Sequence, residues 1–226
     1  MRLLAIGDIH GCSRAFDALL DAVQLRVGDR LVTLGDYVDR GPNTRGVLDR
    51  LLALDETGCL IALRGNHDVM MVEARRGALE ETEWRLCGGN ATLASYVPRG
   101  TTGRFSDVPP EHWEFLERKC LDLYEAETHF FVHANVQPDL PLARQPRQQL
   151  HWEKLGAPQA HVSGKIMVCG HTQQRNGLPL NLGVAVCIDT WAYGLGWLTC
   201  LDVASGHYWQ ANESGSVRVG WLEEPG

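Results

Sequence analysis

The chain has 226 residues, of which 44% are hydrophobic and 22% charged, close to the balance of an average folded globular protein. This composition excludes a disordered or collagen-like chain, and the length is enough for one domain with a sizeable core. The formal charge of -7 disfavours nucleic acid as a partner, because such binding depends on neutralising phosphates. It leaves room for a locally positive site, especially one that holds metal ions.

Signals for targeting and redox compartment are also informative. The apolar run at the N-terminus is interrupted at Asp8, too early for the core of a signal peptide. No stretch approaches the roughly 20 apolar residues that span a bilayer. Seven cysteines are scattered through apolar segments without a CxxC pair, which argues against a disulfide framework. We therefore predict a cytoplasmic protein with no membrane partner; the sequence carries no signal of oligomeric state.

The first third of the chain alternates between strand and helix patterns. An apolar run at 3–6 precedes apolar residues at helical spacing over 16–23, and the same pair recurs at 31–34 and 47–52. A third apolar run lies at 60–63. This β-α-β-α-β order predicts an α/β fold in which helices cover a parallel sheet.

The remainder of the chain changes character twice. The segment from about 69 to 120 has mostly helical periodicity, interrupted at 87–90 and 108–110, and we interpret it as a helical insertion. Without a repeat or linker, a single domain over 1–226 is the simplest interpretation. The sheet-rich second half contains short β-like runs separated by Gly, Pro and Asn, at 128–132, 166–169, 184–188, 197–203 and 208–210.

Each of the first three predicted strands ends in a glycine-flanked cluster of polar side chains. The clusters read GDIHG at 7–11, GDYVDRG at 35–41 and RGNHD at 64–68. Ligands bind at the carboxyl ends of strands in open α/β sheets, so these loops should converge. Two later strands add His133 and His171. One such cluster alone could be a capped turn, but five at five strand ends indicate a single site.

The converging side chains form a mixed set of nitrogen and oxygen ligands without a thiolate. Such a set suits Mn, Fe or Zn better than calcium, which prefers oxygen alone. It can divide between two octahedral ions if one carboxylate bridges them, and Asp36 is the obvious bridge. Two ions about 3.5 to 4 Å apart would bind a phosphoryl group and activate a shared water. The predicted ligands are Asp8, His10, Asp36, Asn66, His133 and His171.

Candidate catalytic groups lie beside these ligands in the sequence. Arg40 and Arg64 carry guanidinium groups that match phosphate oxygens, so the predicted substrate is a phosphate ester. His67 could give a proton to the departing alkoxide if Asp39 orients it and supports its charged form. The sequence therefore predicts metal-assisted hydrolysis of a phosphate ester.

The ordered motifs resemble the phosphoprotein phosphatase family of metallophosphoesterases, whose signature is GDxHG, GDxVDRG and GNH followed by Glu or Asp. VHAN and CGHT occur later in the chain, where that family places two further metal histidines. The segment 87–93 and the run Ile188-Asp189-Thr190 are most similar to the small bacterial and phage lambda-type protein phosphatases. The resemblance implies a calcineurin-like sandwich of two mixed β-sheets flanked by α-helices, and it implies manganese as the metal.

The resemblance also implies a role for each matching residue. One ion would be held by Asp8, His10 and Asp36, and the other by Asp36, Asn66, His133 and His171. Phosphoryl oxygens would be bound by Arg40 and Arg64, with Asn66 beside them. His67 would be the general acid with Asp39 as its partner, while a hydroxide between the ions attacks phosphorus in line, without a phosphoenzyme.

Three positions bear on the substrate. Lys154 is the nearest candidate for a basic residue that follows the Trp of this segment in the phage relative and adds a phosphate contact. Trp191 stands where many lambda-type relatives have Gly, so its ring lines the site or strains the backbone there. Asp68 stands where the eukaryotic phosphatases carry Glu, a substitution also found in bacterial relatives and in the symmetrical diadenosine tetraphosphate hydrolases.

The sequence predicts first a hydrolase of phosphoserine and phosphothreonine proteins, with phosphotyrosine and small aryl phosphates as further substrates, because Asp39 completes the pair with His67. The alternative is a dinucleoside polyphosphate hydrolase, which shares the metal motifs. Symmetrical members of that class carry Ala at the position of Asp39 and are longer. A non-catalytic phosphate-binding scaffold is the remote alternative, since no candidate ligand or arginine is missing.

Overall fold

The computed structural model describes residues 1–225 and contains two mixed β-sheets flanked by α-helices, which confirms the predicted fold class. The two sheets face each other across a layer of fully buried side chains. Val32 and Leu34 from the first sheet pack in this layer with Phe131 and Val168 from the second. Each such side chain contributes roughly 1.5 to 3 kcal/mol when it leaves water, so this layer fixes the sandwich.

The first sheet has six strands in the order β11-β10-β9-β1-β2-β3. Its parallel half is the predicted β-α-β-α-β unit, and β9 joins β1 in the antiparallel direction. Its strands are β1 Leu3–Ile6, β2 Arg30–Thr33, β3 Leu60–Ala62, β9 Leu198–Asp202, β10 His207–Ala211 and β11 Val217–Trp221.

The second sheet has five strands in the order β4-β5-β6-β8-β7. Its three central strands β5, β6 and β8 run parallel, so their carboxyl ends lie at one edge. The strands are β4 Leu123–Glu125, β5 His129–Val132, β6 Ile166–Cys169, β7 Leu180–Asn181 and β8 Ala185–Cys187.

Helices cover the first sheet and form the insertion. The amphipathic helix α1 buries Ala15, Phe16 and Leu19. Between β3 and β4 the chain is mainly helical, as its periodicity predicts, and the helical path breaks at Gly88, where φ is 122°. The helices are α1 Ser13–Val23, α2 Thr44–Glu56, α3 Asn66–Ala74, α4 Ala78–Trp84, α5 Asn90–Ala94, α6 Pro110–Glu114 and α7 Arg147–Trp152.

Four elements differ from the sequence expectation, which lacked β4, β7, β11 and α7. Strands β4 and β7 have three and two residues, too short for a period-2 pattern to be recognised. Strand β11 is an edge strand whose Val217, Val219 and Trp221 are exposed, so it lacks a buried face.

The longest α-helix in residues 1–225 has 13 residues, and none of these helices is long and apolar enough to cross a membrane.

Candidate active site

The loops that follow the parallel strands of both sheets are joined at one end of the sandwich. The backbone N–H groups of Ile9 and His10 donate to the carbonyl of Asp36, at 3.1 and 2.7 Å. The N–H of Gly170 donates to the carbonyl of His133 at 2.8 Å, and Nδ1 of His133 lies 2.9 Å from the carbonyl of Leu34, which joins the loops of the second sheet to those of the first. The five predicted clusters therefore meet at the carboxyl ends of the strands, where the sequence analysis expects the site.

Left-handed backbone is concentrated in these loops. Seven non-glycine residues within 1–225 have positive φ, and six of them are candidate site residues. Such conformations cost on the order of 1 to 3 kcal/mol and persist only where the surrounding structure enforces them. The strain expected at Trp191 is observed, with φ at 65°. The other five are His10, Asp36, Asp39, Arg40 and His171.

Asp36 lies at the centre of the candidate metal ligands. Its Oδ2 is 3.3 Å from Nε2 of His10, and its Oδ1 is 3.6 Å from Nε2 of His133. It belongs to two groups of mutually close donor atoms, one with His10 and His67 and one with His133 and His171. A carboxylate shared by two such groups is in the right place to bridge two ions, as the sequence analysis predicts.

Asn66 and Asp8 complete the donor cluster. Oδ1 of Asn66 lies 3.0 Å from Nε2 of His133 and 3.0 Å from Nδ1 of His171. The carboxylate of Asp8 accepts the backbone N–H of His171 at 3.1 and 3.2 Å, and it lines the same cavity as Asp36. The structure thus brings together all six predicted ligands.

Each of the three histidines uses one ring nitrogen on a backbone carbonyl. Nδ1 of His10 is 2.8 Å from the carbonyl of Val38, and Nδ1 of His133 is 2.9 Å from that of Leu34. Nε2 of His171 is 3.1 Å from the carbonyl of Trp152. Because a carbonyl only accepts, the ring nitrogen that faces it carries the proton. The other ring nitrogen then has a lone pair, which faces the donor cluster. This is how histidines that bind metals are oriented in proteins.

The protonation chemistry of the cluster also fits cations. Burial, followed by the charges of Asp189 and Asp36, raises the pKa of Asp8 well above its ordinary value. Burial raises the pKa of Asp189 to about 6 and lowers that of His133 to about 3. Buried carboxylates and neutral imidazoles whose lone pairs converge need a positive charge among them. The residues present therefore fit a centre of two divalent ions.

His67 and Asp39 form the predicted acid pair. Nδ1 of His67 lies 2.7 Å from Oδ2 of Asp39, and both side chains are buried. Burial alone would lower the pKa of His67, but the charge of Asp36 and the hydrogen bond with Asp39 raise it above the ordinary value. The backbone N–H of His67 donates to Oδ1 of Asp36 at 2.9 Å, which fixes the imidazole beside the donor cluster.

Two residues of the insertion contact Asp39, and the sequence analysis did not connect them with the site. The indole Nε1 of Trp84 lies 3.0 and 2.9 Å from the two carboxylate oxygens of Asp39. The hydroxyl of Thr92 lies 2.8 Å from Oδ1. The only sequence signal was the resemblance of the segment around 87–93 to lambda-type phosphatases, and that resemblance gave Thr92 no role.

Asp68 also has a role that the motif did not reveal. Its carboxylate accepts the backbone N–H groups of Asp36, Tyr37 and Gly65, at 2.8, 3.0 and 2.9 Å. It thereby ties the loop after β2 to the loop after β3. This close approach requires glycine at position 65, because a Cβ there would lie 2.1 Å from Oδ1 of Asp36.

The two predicted arginines lie in different places. Arg40 lines the cavity, donates to Nε2 of His10 at 2.8 Å and stacks over Tyr193. Arg64 does not reach it: its guanidinium is bonded to Asp122 at 3.0 Å and to the carbonyls of residues 116 and 117. The expectation that Arg64 binds the phosphoryl group is therefore not supported by this arrangement, because all three of its nitrogens are already engaged elsewhere.

The cavity beside the donor cluster has a volume of about 340 Å³ and is lined by further basic groups. Lys154 reaches it, as the resemblance implies, and so does Arg175, which the sequence analysis missed. Trp191 is not part of the lining. It stacks against Arg175 at 5.5 Å and stands 6.4 Å from the ring of Tyr193. Trp191 thus supports the rim of the cavity.

Comparison with known proteins agrees with this site. A family profile described as calcineurin-like phosphoesterase matches residues 1–175. The chain is 42% identical over 145 residues to a symmetrical bis(5'-nucleosyl)-tetraphosphatase of Delftia acidovorans, an alignment that covers 61% of this chain and 46% of that protein. It is 38% identical over 156 residues to serine/threonine-protein phosphatase 1 of Salmonella typhimurium, covering 66% of this chain and 62% of that protein.

Solved structures show the same fold. A crystal structure of a proposed diadenosine tetraphosphatase superposes with a TM-score of 0.67 at 20% identity, covering 99% of this chain and 94% of that one. The chain spans only about half to three fifths of the length of the two curated relatives. The family profile, however, matches well over half of the chain, including every predicted metal ligand. The chain therefore belongs to the calcineurin-like phosphoesterase family.

Proposed function

We propose that the chain hydrolyses the phosphoanhydride bonds of dinucleoside polyphosphates, with Mn²⁺ as the working metal and Fe or Zn as alternatives. The observation that carries this proposal is a set of three basic side chains in the cavity, whose two carboxylates, Asp8 and Asp36, are candidate metal ligands. Arg40, Lys154 and Arg175 line it beside the donor cluster, although the chain as a whole has a net charge of -7. A chain of several phosphates matches several separated cations better than a single phosphoryl group does.

The similarity to the Delftia acidovorans enzyme supports the same substrate class, at 42% identity. This evidence favours the alternative of the sequence analysis over its first prediction.

The site residues would divide the reaction as follows. Two divalent ions, when bound, supply Lewis-acid stabilisation of the phosphoryl oxygens and activation of water. Arg40 binds a phosphoryl oxygen, while Lys154 and Arg175 bind the phosphates that remain on the leaving group. Nδ1 of His67 donates to Asp39, so the charged form of the imidazole carries its transferable proton at Nε2. Water adds to phosphorus and gives up a proton to the solvent, the anhydride bond breaks, and the proton at Nε2 of His67 can pass to the departing oxygen.

Phosphomonoesters of proteins are the second candidate, and the His67–Asp39 pair favours them. An alkoxide is a far poorer leaving group than a phosphate, so a general acid positioned to protonate it accelerates its departure most. The similarity to phosphatase 1 of Salmonella typhimurium supports this candidate. Phosphorylated protein is then the partner, as the sequence analysis first predicts.

A rate comparison separates the two substrate classes. We would measure kcat/KM for diadenosine tetraphosphate and for a phosphothreonine peptide, with Mn²⁺ added and after chelation. The proposal expects the dinucleotide to react faster and both activities to require metal. Lys154→Met and Arg175→Met should each raise KM for the dinucleotide about tenfold, the worth of one charged hydrogen bond, with little change for the peptide.

The control variant is Arg99→Met, because Arg99 is an exposed arginine outside the cavity. Its kinetics should match the unmodified protein. Faster hydrolysis of the peptide, together with a dinucleotide KM that ignores Lys154 and Arg175, would replace the proposal by the protein phosphatase. If neither substrate is hydrolysed in a metal-dependent way, the result would favour a non-catalytic phosphate-binding scaffold.

A further inference from the structure

We propose that Trp84 and Thr92, both in the helical insertion, are positioning residues that set the orientation and tautomer of His67 through Asp39. This inference rests on the proposed hydrolase function for its kinetic consequence, but the hydrogen-bond arrangement itself can be tested without turnover. It gives the insertion a part in the chemistry, although the insertion contributes no predicted metal ligand.

Hydrogen bonds from the insertion occupy one side of the Asp39 carboxylate. Nε1 of Trp84 donates between the two oxygens, at 3.0 and 2.9 Å, and the hydroxyl of Thr92 donates to Oδ1 at 2.8 Å. The backbone N–H of Asp39 donates in turn to the hydroxyl of Thr92 at 2.7 Å. A second hydroxyl, that of Thr44, lies 3.1 Å from Thr92 and can supply the remaining bond.

This arrangement leaves one direction open on Asp39. The free lone pair of Oδ2 points to Nδ1 of His67 at 2.7 Å. Because an ionised carboxylate only accepts, Nδ1 must carry a proton in this bond. Asp39 therefore selects the orientation in which Nε2 faces the donor cluster, and the two insertion residues keep the carboxylate from rotating away.

Because these hydrogen bonds are buried, the loss of any one of them is costly. Asp39 and Thr92 are fully buried, while Trp84 and His67 are 1% and 2% exposed. Water cannot replace a lost donor in such a place, so a carboxylate that loses one must reorient or take up a proton. Either response weakens its bond to His67.

The insertion also holds the indole of Trp84 rigidly. The ring stacks on Phe105 at a centroid distance of 5.4 Å. The chain also passes so close to the indole at Gly89 that a Cβ there would lie 2.4 Å from the ring. The carbonyl of Gly88 lies 3.4 Å from the backbone nitrogen of Arg40 and accepts its N–H, next to Asp39. The indole nitrogen is therefore held in place by the packing of the ring against Phe105 and Gly89.

A purely structural role for these residues predicts a different kinetic result from a positioning role. If they only stabilise the fold, their removal lowers turnover of every substrate in the same proportion. If they position the general acid, the loss grows as the leaving group becomes poorer, because a poor leaving group needs the proton most.

The kinetic test uses conservative variants and a series of phosphomonoesters. Trp84→Phe keeps the ring and removes the N–H, and Thr92→Val keeps the shape and removes the hydroxyl. We expect each to lower kcat for alkyl phosphates about 10- to 100-fold and for nitrophenyl phosphate less than about threefold, within the usual contribution of general acid catalysis. Thr92→Ser, which keeps the hydroxyl, should return the leaving-group dependence to that of the unmodified protein.

Two controls complete the kinetic test. His67→Asn removes the acid, so adding Thr92→Val to it should cost nothing further in kcat for alkyl phosphates. Equal losses on alkyl and nitrophenyl phosphates, or a full additional loss in the double variant, would overturn the proposal.

The second measurement is independent of activity. NMR of ¹⁵N-labelled metal-free protein should show a proton on Nδ1 of His67. The chemical shift of that proton should be characteristic of a strong hydrogen bond to Asp39. Thr92→Val and Trp84→Phe should weaken that signature while the fold, followed by thermal unfolding, is retained. An unchanged His67 signal would overturn the positioning role. Absence of hydrolysis on any substrate would instead count against the proposed function.

Discussion

The loops at the strand ends and the helical insertion serve the same site in different ways. The loops place the candidate metal ligands directly, and each loop does so within a few consecutive residues, as in Asp8 and His10. The insertion acts one layer out, through Trp84 and Thr92, which lie 45 and 53 residues from Asp39 in the sequence. Functional residues can therefore be recognised in the sequence when they lie together in one turn. They cannot be recognised there when distant segments of the chain meet around one side chain.

Arg64 connects the two regions. It belongs to the motif after β3, yet its guanidinium is bonded to the carbonyls of Leu116 and Glu117 in the insertion. Its Nη1 donates to Asp122, just before β4. An arginine whose neighbours in the sequence are candidate site residues can thus serve to attach the insertion to the sheet.

The largest effect should come from the loops. Asp36→Asn removes the charge shared by the two donor groups, so we expect loss of at least one ion from the loaded protein and a roughly thousandfold lower kcat, the rate equivalent of several kcal/mol. Metal content by elemental analysis and turnover measure both. The exposed carboxylate variant Asp21→Asn is the matched control. An unchanged metal content in Asp36→Asn would refute the bridging role.

A glycine in the insertion should separate positioning from metal binding. Gly89→Ala places a Cβ 2.4 Å from the ring of Trp84, which must shift, so we expect a loss of about 1 to 3 kcal/mol in unfolding free energy. Activity on alkyl phosphates should fall as in Trp84→Phe, while metal content stays intact. Gly156→Ala, where the new Cβ meets nothing within 4 Å, is the control. Loss of metal from Gly89→Ala would mean that the two regions are not separable.

The smallest effect concerns the attachment of the insertion. The imidazole of His151, whose Nε2 lies 3.3 Å from Oδ1 of Asp122, lowers the pKa of Asp122 to about 2 together with Arg64 and Arg147. A carboxyl with a lowered folded-state pKa stabilises the fold above its unfolded value and loses this contribution as the pH falls through about 4 to 2. Asp122→Asn should therefore cost on the order of 1 to 2 kcal/mol at neutral pH and much less near pH 2. Urea unfolding at several pH values measures this, and a cost independent of pH would contradict it.

The sequence by itself determined the parallel strand-helix unit and the residues that converge at its carboxyl end. Short apolar runs and amphipathic spacing are local signals, and glycine-flanked Asp, Asn and His residues at strand ends are readable because the parallel topology brings them together. The six predicted ligands and the His67–Asp39 pair follow from that logic.

Tertiary structure alone decided which polar residues face the cavity. The spacing of Arg64 and Arg40 from the ligands does not reveal that one guanidinium is taken by Asp122 while the other faces the metal donors. Arg175, Trp84 and Thr92 reach the site from segments whose periodicity indicates only helix or loop. Short edge strands were hidden for a similar reason, because pairing with a neighbour gives them their conformation. A side chain's role depends on the partners that long-range packing supplies, and those partners leave no local pattern in the sequence.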